Sequence, residues 1–317
     1  MAKPINVVFL NRWSRRDMGS SVMRVDQLSG HLARFFGDRY AVSVRYVSNK
    51  IKRFQNALLT ARSPDTVFIF SKYAAQGRGA DDMVSLRQKC RAILVDYVDM
   101  PLTGMITAGV DRHIAASYAG AALQTKWAAH AASVGQPIAG CMATVLHGYD
   151  AALDGVAHVP RAPDLAIAYM GTPALMAPSP LATQRVTCLD AGMPDTFHRA
   201  LEKIGRFHAH YCIRPTKNQD DPWVARPFTK GATAAACDAV IFTDRQNGDA
   251  VHLLGSNYPF MIDDSDPAKI DAGLNTLIAG FEGPAWRDAQ DRVRAMKAHV
   301  SHKAIATQLD CAIQSCL

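Results

Sequence analysis

The residue types best suited to chemistry are concentrated in one stretch, RPFTKGATAAACDAVIFT, from Arg226 to Thr243. Arg226, Thr229 and Lys230 surround Gly231, and a run of alanines and an apolar segment follow. The pattern predicts a basic loop, a short helix of small residues and a buried strand. The start of such a helix offers backbone N–H groups without intrahelical partners, the positive end of the helix dipole and side-chain cations. Those features suit a diphosphate. Bonds from Lys230, Arg226 and the nearby Arg214 to phosphate oxygens would strengthen as a bond to that phosphate breaks, which is the condition for catalysis and not only for binding. The plainer reading makes Lys230 a surface lysine flanking a helix and the two arginines members of solvent-facing ion pairs.

Other candidates are scattered. The turn Asp17, Gly19, Ser20, Ser21 leads to Arg24. Its glycine permits close approach of a ligand, Ser20 is a candidate helix cap, Arg24 a contact for a donor phosphate or an anionic acceptor, and Asp17 a base. His147 follows an apolar run, where an imidazole could take a proton from a hydroxyl; a hinge histidine is the plainer reading. Asp96 and Asp99 in VDYVDMP fit either sugar hydroxyls or a turn cap. Asp244 and Asp249 are carboxylates able to accept from ligand hydroxyls. His208 and His210 share a strand face without a third metal ligand, so they read as packed side chains and no metal site is expected.

The elements that must position these residues alternate between apolar runs and helical periodicity, which argues for parallel α/β layers. Strands are expected at Ile5–Leu10, Ala41–Val47, Thr66–Phe70, Ala92–Val95, His113–Ala116 and Ile138–Leu146, with helices over Val22–Phe36 and Tyr118–Ala132. The glycine-, proline- and histidine-containing segment His147–Asp164 breaks the rhythm, and the domain division is placed at 155/156. Strands then recur at Leu165–Met170, Arg185–Leu189, Arg206–Cys212, Ala239–Phe242 and Phe260–Ile262. Helices are expected over Asp195–Ile204, Thr229–Cys237, Pro267–Phe281 and from Pro284 to the end. Two α/β halves of similar size suggest two Rossmann-like domains facing a central cleft, with ligands beyond the carboxyl ends of the strands.

Composition narrows the class. The 317 residues are 49% apolar and 20% charged, a globular balance without a transmembrane run. Ile5–Leu10 is too short for a signal segment and reads as a strand. Seven cysteines include no CxxC pair, so neither a disulfide framework nor a zinc ribbon is expected, and the expected compartment is the cytoplasm. The net charge of +7 suits an anionic substrate or an acidic membrane face. Its basic residues form small knots (Arg12, Arg15, Arg16; Lys50, Lys52, Arg53) with no nucleic-acid motif, so nucleic acid is not an expected partner.

Several segments resemble glycosyltransferases of the GT-B architecture, in particular the group 1-like, family 4-like members. TKGATAAACDAVIFT is similar to their donor-binding helix and following strand, DMGSSVMRVDQL to their first glycine-containing loop, DLAIAYMGTP to the opening of the second domain, and HAHYCIRPT to the strand before the donor loop. The resemblance implies an acceptor-side domain over 1–155 and a nucleotide-sugar donor domain over 156–317, with Gly19, Ser20, Arg24, Arg214, Thr229, Lys230, Gly231 and Thr233 near the donor. It implies transfer of a sugar to a polysaccharide, lipid-linked sugar or small metabolite, as in polysaccharide biosynthesis, with no obligatory metal and no cofactor beyond the donor substrate. A C-terminal helix with a basic amphipathic face would permit peripheral association with the inner face of a membrane.

The chain departs from that pattern. Retaining members carry two glutamates around the donor helix, whereas the glutamates here are Glu202 and Glu282, outside it. Thr233 stands near one expected glutamate and Asp238 near a usual glycine. The alternative is therefore a catalytically silent subunit that binds a nucleotide sugar or glycan. A more distant alternative, an NAD-dependent enzyme, lacks GxGxxG after the first strand.

Overall fold

A computed structural model describes residues 3–48, 64–155, 161–215 and 222–317. The basic knot Lys50, Lys52, Arg53 and the end of HAHYCIRPT at Thr216 lie outside them. The chain divides into two units. The first comprises Met1–His147, Asp221–Pro227 and His302–Leu317; the second comprises Gly148–Asp220 and Phe228–Ser301.

The first unit holds β1 (Ile5–Arg12), β2 (Tyr40–Val47), β3 (Thr66–Ser71), β4 (Ala92–Asp96), β5 (Arg112–Ala115) and β6 (Cys141–Thr144). They form a parallel sheet in the order β2-β1-β3-β4-β5-β6. The runs VVFL, VFIF and AILV make the central strands because helices cover both faces of a parallel sheet, so apolar residues serve on either side. Between β1 and β2 run α1 (Gly19–Ser21), a π-helical segment (Val22–Gln27) and α2 (Leu28–Phe36). The helix expected over Val22–Phe36 thus starts earlier and contains a π segment, whose wider turn brings both Arg24 and Val25 into the interior. The unit also contains α3 (Lys72–Ala75), α4 (Ala80–Arg87) and α5 (Tyr118–Ser133).

The second unit holds β7 (Ile167–Gly171), β8 (Val186–Asp190), β9 (Ala209–Tyr211), β10 (Val240–Asp244) and β11 (Met261–Ile262), parallel throughout, in the order β11-β10-β9-β7-β8. Its helices are α6 (Pro180–Arg185), α7 (Pro194–Ile204), α8 (Thr229–Ala236), α9 (Ala250–Leu254), α10 (Pro267–Ala279) and α11 (Pro284–Val300). The single C-terminal helix expected from Pro284 is interrupted: Ser301 is extended, and α12 (His302–Gln314) belongs to the first unit. There Ile305, Leu309 and Ile313 pack with Val25, Leu28 and Leu32 and with Val7 and Phe9 of β1. The apolar spacing of α12 is accounted for by this core. The first unit ends at His147, ahead of the 155/156 division, and its chain continues alongside β5 through His147 N–H to Ala116 O (2.9 Å).

Candidate functional site

The helix α8 links β9 to β10, so its N-terminus lies at the carboxyl end of the second sheet. There the Lys230 ammonium donates to the carbonyl of Met170, near the end of β7. Its Nζ also lies 3.9 Å from the centroid of the Tyr169 ring. A Cβ at Gly171 would come 2.5 Å from that Nζ and 2.9 Å from the Tyr169 hydroxyl oxygen, so glycine is required for the lysine to occupy this place. Tyr169 is held in turn by its hydroxyl, which donates to Thr172 O (3.2 Å). Burial, with the Arg214 charge nearby, pushes Lys230 down to about 8. Among the described residues no carboxylate lies within ion-pair distance of Lys230 or Arg214.

The helix behind Lys230 is firmly placed. Ala232, Ala234, Ala235 and Ala236 are buried, and their small side chains let α8 pack closely on β9, β10 and α11. Phe228 occupies the N-cap position without a side-chain cap, and the first helical bond runs from Ala232 N to Phe228 O (3.0 Å). Gly231 is needed here too, because a Cβ would fall 2.1 Å from the Phe228 ring. At the other end Arg161 donates to Cys237 O (2.9 Å) and Asp238 O (2.7 Å), and Lys297 donates to Ala236 O (3.1 Å). Cations thus meet the negative end of the dipole. Asp238 adopts φ 52°, the left-handed conformation for which glycine is usual after a helix. The Thr233 hydroxyl is turned back onto Thr229 O (3.1 Å).

Arg226 is exposed and belongs to the Asp221–Pro227 segment of the first unit. In that segment Trp223 packs on Trp127 (4.8 Å between centroids) and its carbonyl accepts from Leu102 N (3.1 Å). The basic loop expected as one piece is therefore divided between units at Pro227/Phe228. Asp244 ends β10 as a buried carboxyl that accepts from Gln246 N (2.8 Å), and burial pushes it up to about 6. Asp249, also buried, stands directly ahead of α9. His210 is buried beside Ile204 O (3.4 Å) and pushed down to about 4 by burial, while His208 Nδ1 accepts from Ala166 N (3.2 Å). Both are packed histidines.

The carboxyl end of the first sheet is arranged differently. Arg24, 4% exposed, donates from Nε to Asp96 Oδ2 (2.7 Å) and from Nη1 to Leu146 O (2.9 Å). Asp96 Oδ1 accepts from Val98 N (3.1 Å), the turn cap that was one of the two roles open to it. Arg24, expected to meet a phosphate or an anionic acceptor, is turned inward by the π segment and pairs with a buried carboxylate. Asp99 is exposed with φ 51°. Asn11, fully buried at the end of β1, accepts from Ser71 Oγ (2.9 Å) and more distantly from Ser21 Oγ (3.4 Å). Ser20 does not cap the first helix, because Met18 holds that position. Gly19 is exposed, and a Cβ there would meet no protein atom within 4 Å. Asp17 is exposed beside Arg16 (3.4 Å), and His147 is buried.

Sequence reasoning missed Tyr169 and the Met170 carbonyl as partners of Lys230. The available signal was the glycine directly after them, at the end of an apolar run. No group of three or more potential metal-binding side chains occurs among the described residues, and no helix among them is long and apolar enough to cross a membrane.

No known protein family matches the sequence, and no curated protein is detectably similar to it in sequence. Solved structures are similar over the whole length. Sucrose-phosphate synthase from Thermosynechococcus elongatus aligns at TM-score 0.61 with 13% identity, covering 98% of each chain. A glycosyltransferase from Rickettsia africae aligns at 0.62 with 8% identity, covering 99% of each chain. Anabaena HepE, solved in complex with UDP-glucose, aligns at 0.57 with 12% identity over 98% of this chain and all of that one. With two parallel sheets in sequence and this end-to-end correspondence, the chain has the GT-B glycosyltransferase fold.

Proposed function

We propose that the protein is a glycosyltransferase that moves a sugar from a nucleotide-diphosphate donor to a hydroxyl acceptor. The observation that carries this reading is Lys230: a partly desolvated ammonium beside Arg214, at an N-terminus without a side-chain cap, held by a carbonyl and an aromatic face. Neutral partners hold a cation in place without cancelling its charge. A diphosphate entering there would meet two cations and the N–H groups of the first turn of α8. As the bond between sugar and phosphate breaks, charge grows on the leaving oxygen and those contacts strengthen. Of the three cations expected to grip the diphosphate, Lys230, Arg226 and Arg214, this reading assigns the grip to Lys230 and Arg214, and it is proposed to work without a metal. The complexes of HepE with UDP-glucose, and with UDP and glucose, support a donor of the same chemical type.

On the first unit, Asp17 and His147 are the groups proposed to accept the proton of the acceptor hydroxyl. Asp17 is the more accessible of the two, with its side chain 80% exposed. The first experiment is to incubate the purified chain with UDP-, GDP- and ADP-sugars in the presence of EDTA and to follow release of nucleoside diphosphate. One donor is expected to turn over, and Lys230→Met to abolish it. Failure of every donor both to bind and to react would refute the reading.

A further inference from the structure

The three adjacent strands β2, β1 and β3 end beside an aromatic and cationic surface that the donor chemistry leaves unused. Trp13, 58% exposed, follows β1 and meets Tyr46 at the end of β2 edge to face, 5.4 Å between centroids. The Arg16 guanidinium lies 4.4 Å from the Trp13 ring centroid. After β3, Tyr73 carries Lys72 at 5.0 Å and Arg15 at 5.7 Å from its centroid. Arg12 closes β1, and beside it the fully buried Asn11 has an Nδ2 without a hydrogen-bond partner. Opposing this charge are Asp17, beside Arg16, and Asp26, 3.4 Å from the Tyr46 hydroxyl.

We propose that this surface binds an acidic glycan, sugar rings bearing carboxylate or phosphate groups, as the acceptor. The assignment rests on the glycosyltransferase reading only in calling the glycan an acceptor. An exposed ring such as Trp13 suits the C–H faces of a sugar, and the guanidinium and ammonium groups around Trp13 and Tyr73 suit its anions. Uncharged sugars need no such excess of cations. A lipid surface fits less well: among the described residues the exposed large apolar side chains here are Trp13, Tyr46 and Met18, with no aliphatic cluster among them to insert. The position at the carboxyl ends of parallel strands is the ligand-bearing end of such a sheet.

The test is calorimetric titration of the whole chain at 0.15 M salt with oligogalacturonate and hyaluronan oligomers. Maltohexaose, polyphosphate, and phosphatidylglycerol–phosphatidylcholine vesicles serve as comparisons, with UDP, GDP and ADP titrated in the same samples. An acidic oligosaccharide is expected to bind, with maltohexaose, polyphosphate and vesicles weaker. Trp13→Ala and the pair Arg15→Ala/Arg16→Ala are each expected to weaken it by about fivefold to tenfold while nucleoside diphosphate binding is unchanged. Trp13 and both arginines are exposed, so the variants should remain folded. The proposal is overturned if neither acidic oligosaccharide binds, if binding ignores Trp13, or if polyphosphate or vesicles bind more tightly. Failure of the parent to bind any of UDP, GDP and ADP would instead count against the donor-site reading.

Discussion

The carboxyl ends of the two sheets each hold a buried or half-buried cation, and the two cations are treated in opposite ways. In the first unit, Arg24 is closed into an ion pair with Asp96 and a bond to Leu146 O, so its charge is spent inside the protein. In the second, Lys230 rests on a carbonyl and an aromatic ring beside Arg214. Both positions were cations in glycine-containing turns when read from the sequence. The difference lies in the partners: a buried carboxylate meets the first cation, whereas only neutral groups meet the second, and that is why the second is the one proposed to hold a ligand.

The comparison is most easily broken at Arg24. Arg24→Ala leaves Asp96 buried without its counter-charge and is expected to cost about 3–5 kcal/mol of folding stability in denaturant titration. Arg24→Met combined with Asp96→Asn should return most of that, because the asparagine keeps an acceptor for Val98 N–H and carries no charge. Equal losses in the single and double variants would show that packing, not charge, is what Arg24 provides.

Lys230→Met should behave in the opposite way. Binding of the preferred nucleoside diphosphate is expected to weaken by about 1.5–3 kcal/mol, the worth of a hydrogen bond to a charged group. The thermal midpoint without ligand, at pH 7, should equal or exceed that of the parent. The sign follows from linkage. The folded pKa of about 8 lies below the ordinary 10.5, so the fold disfavours the charged form, and the parent gains stability as pH rises from 8 to 10.5. The variant should lack that rise. A lower midpoint in the variant at pH 7 would place Lys230 among the structural cations.

Asp244 sharpens the same point with the other sign of charge. Its folded pKa of about 6 lies above the ordinary 3.8, so its stabilising contribution is complete below pH 3.8 and is lost as pH rises through 6. Asp244→Asn is expected to add about 1–3 kcal/mol at pH 7, where the parent must ionise a buried group. It should also flatten the stability profile between pH 4 and 6. The smallest effect is reserved for Tyr169, a positioning residue. Tyr169→Leu should weaken nucleotide binding by about 0.5–2 kcal/mol through the lost ring face and shift its pH dependence, while Tyr169→Phe keeps both near the parent values. Equal pH profiles in the two variants would remove the ring from the account.

The alternation of strands and helices was legible because each has its own apolar period, and β1, β3, β4 and α8 lie close to the expected ranges. Asp238 was legible as well: it stands where glycine is usual and adopts the glycine-like φ. What escaped depended on distant partners. The inward turn of Arg24 requires the π segment and the Asp96 carboxylate from another strand, and neither leaves a local pattern. The break at Ser301 carries no proline or glycine, and the return of α12 to the first unit is decided by the core beneath α2. The loop from Arg226 to Lys230 reads as continuous, although Trp223 ties its first part to the first unit.

The central claim is that Lys230 grips a diphosphate, and proton uptake on binding tests it most directly. UDP, GDP and ADP would be titrated calorimetrically at pH 8 in two buffers of different ionisation enthalpy. With a free pKa of about 8, the parent should take up about half a proton on binding its preferred nucleotide, and affinity should decline as pH rises above 8. Lys230→Met should bind more weakly and take up none. Equal affinity and equal proton uptake in parent and variant, or no binding of any diphosphate by the folded parent, would contradict the account.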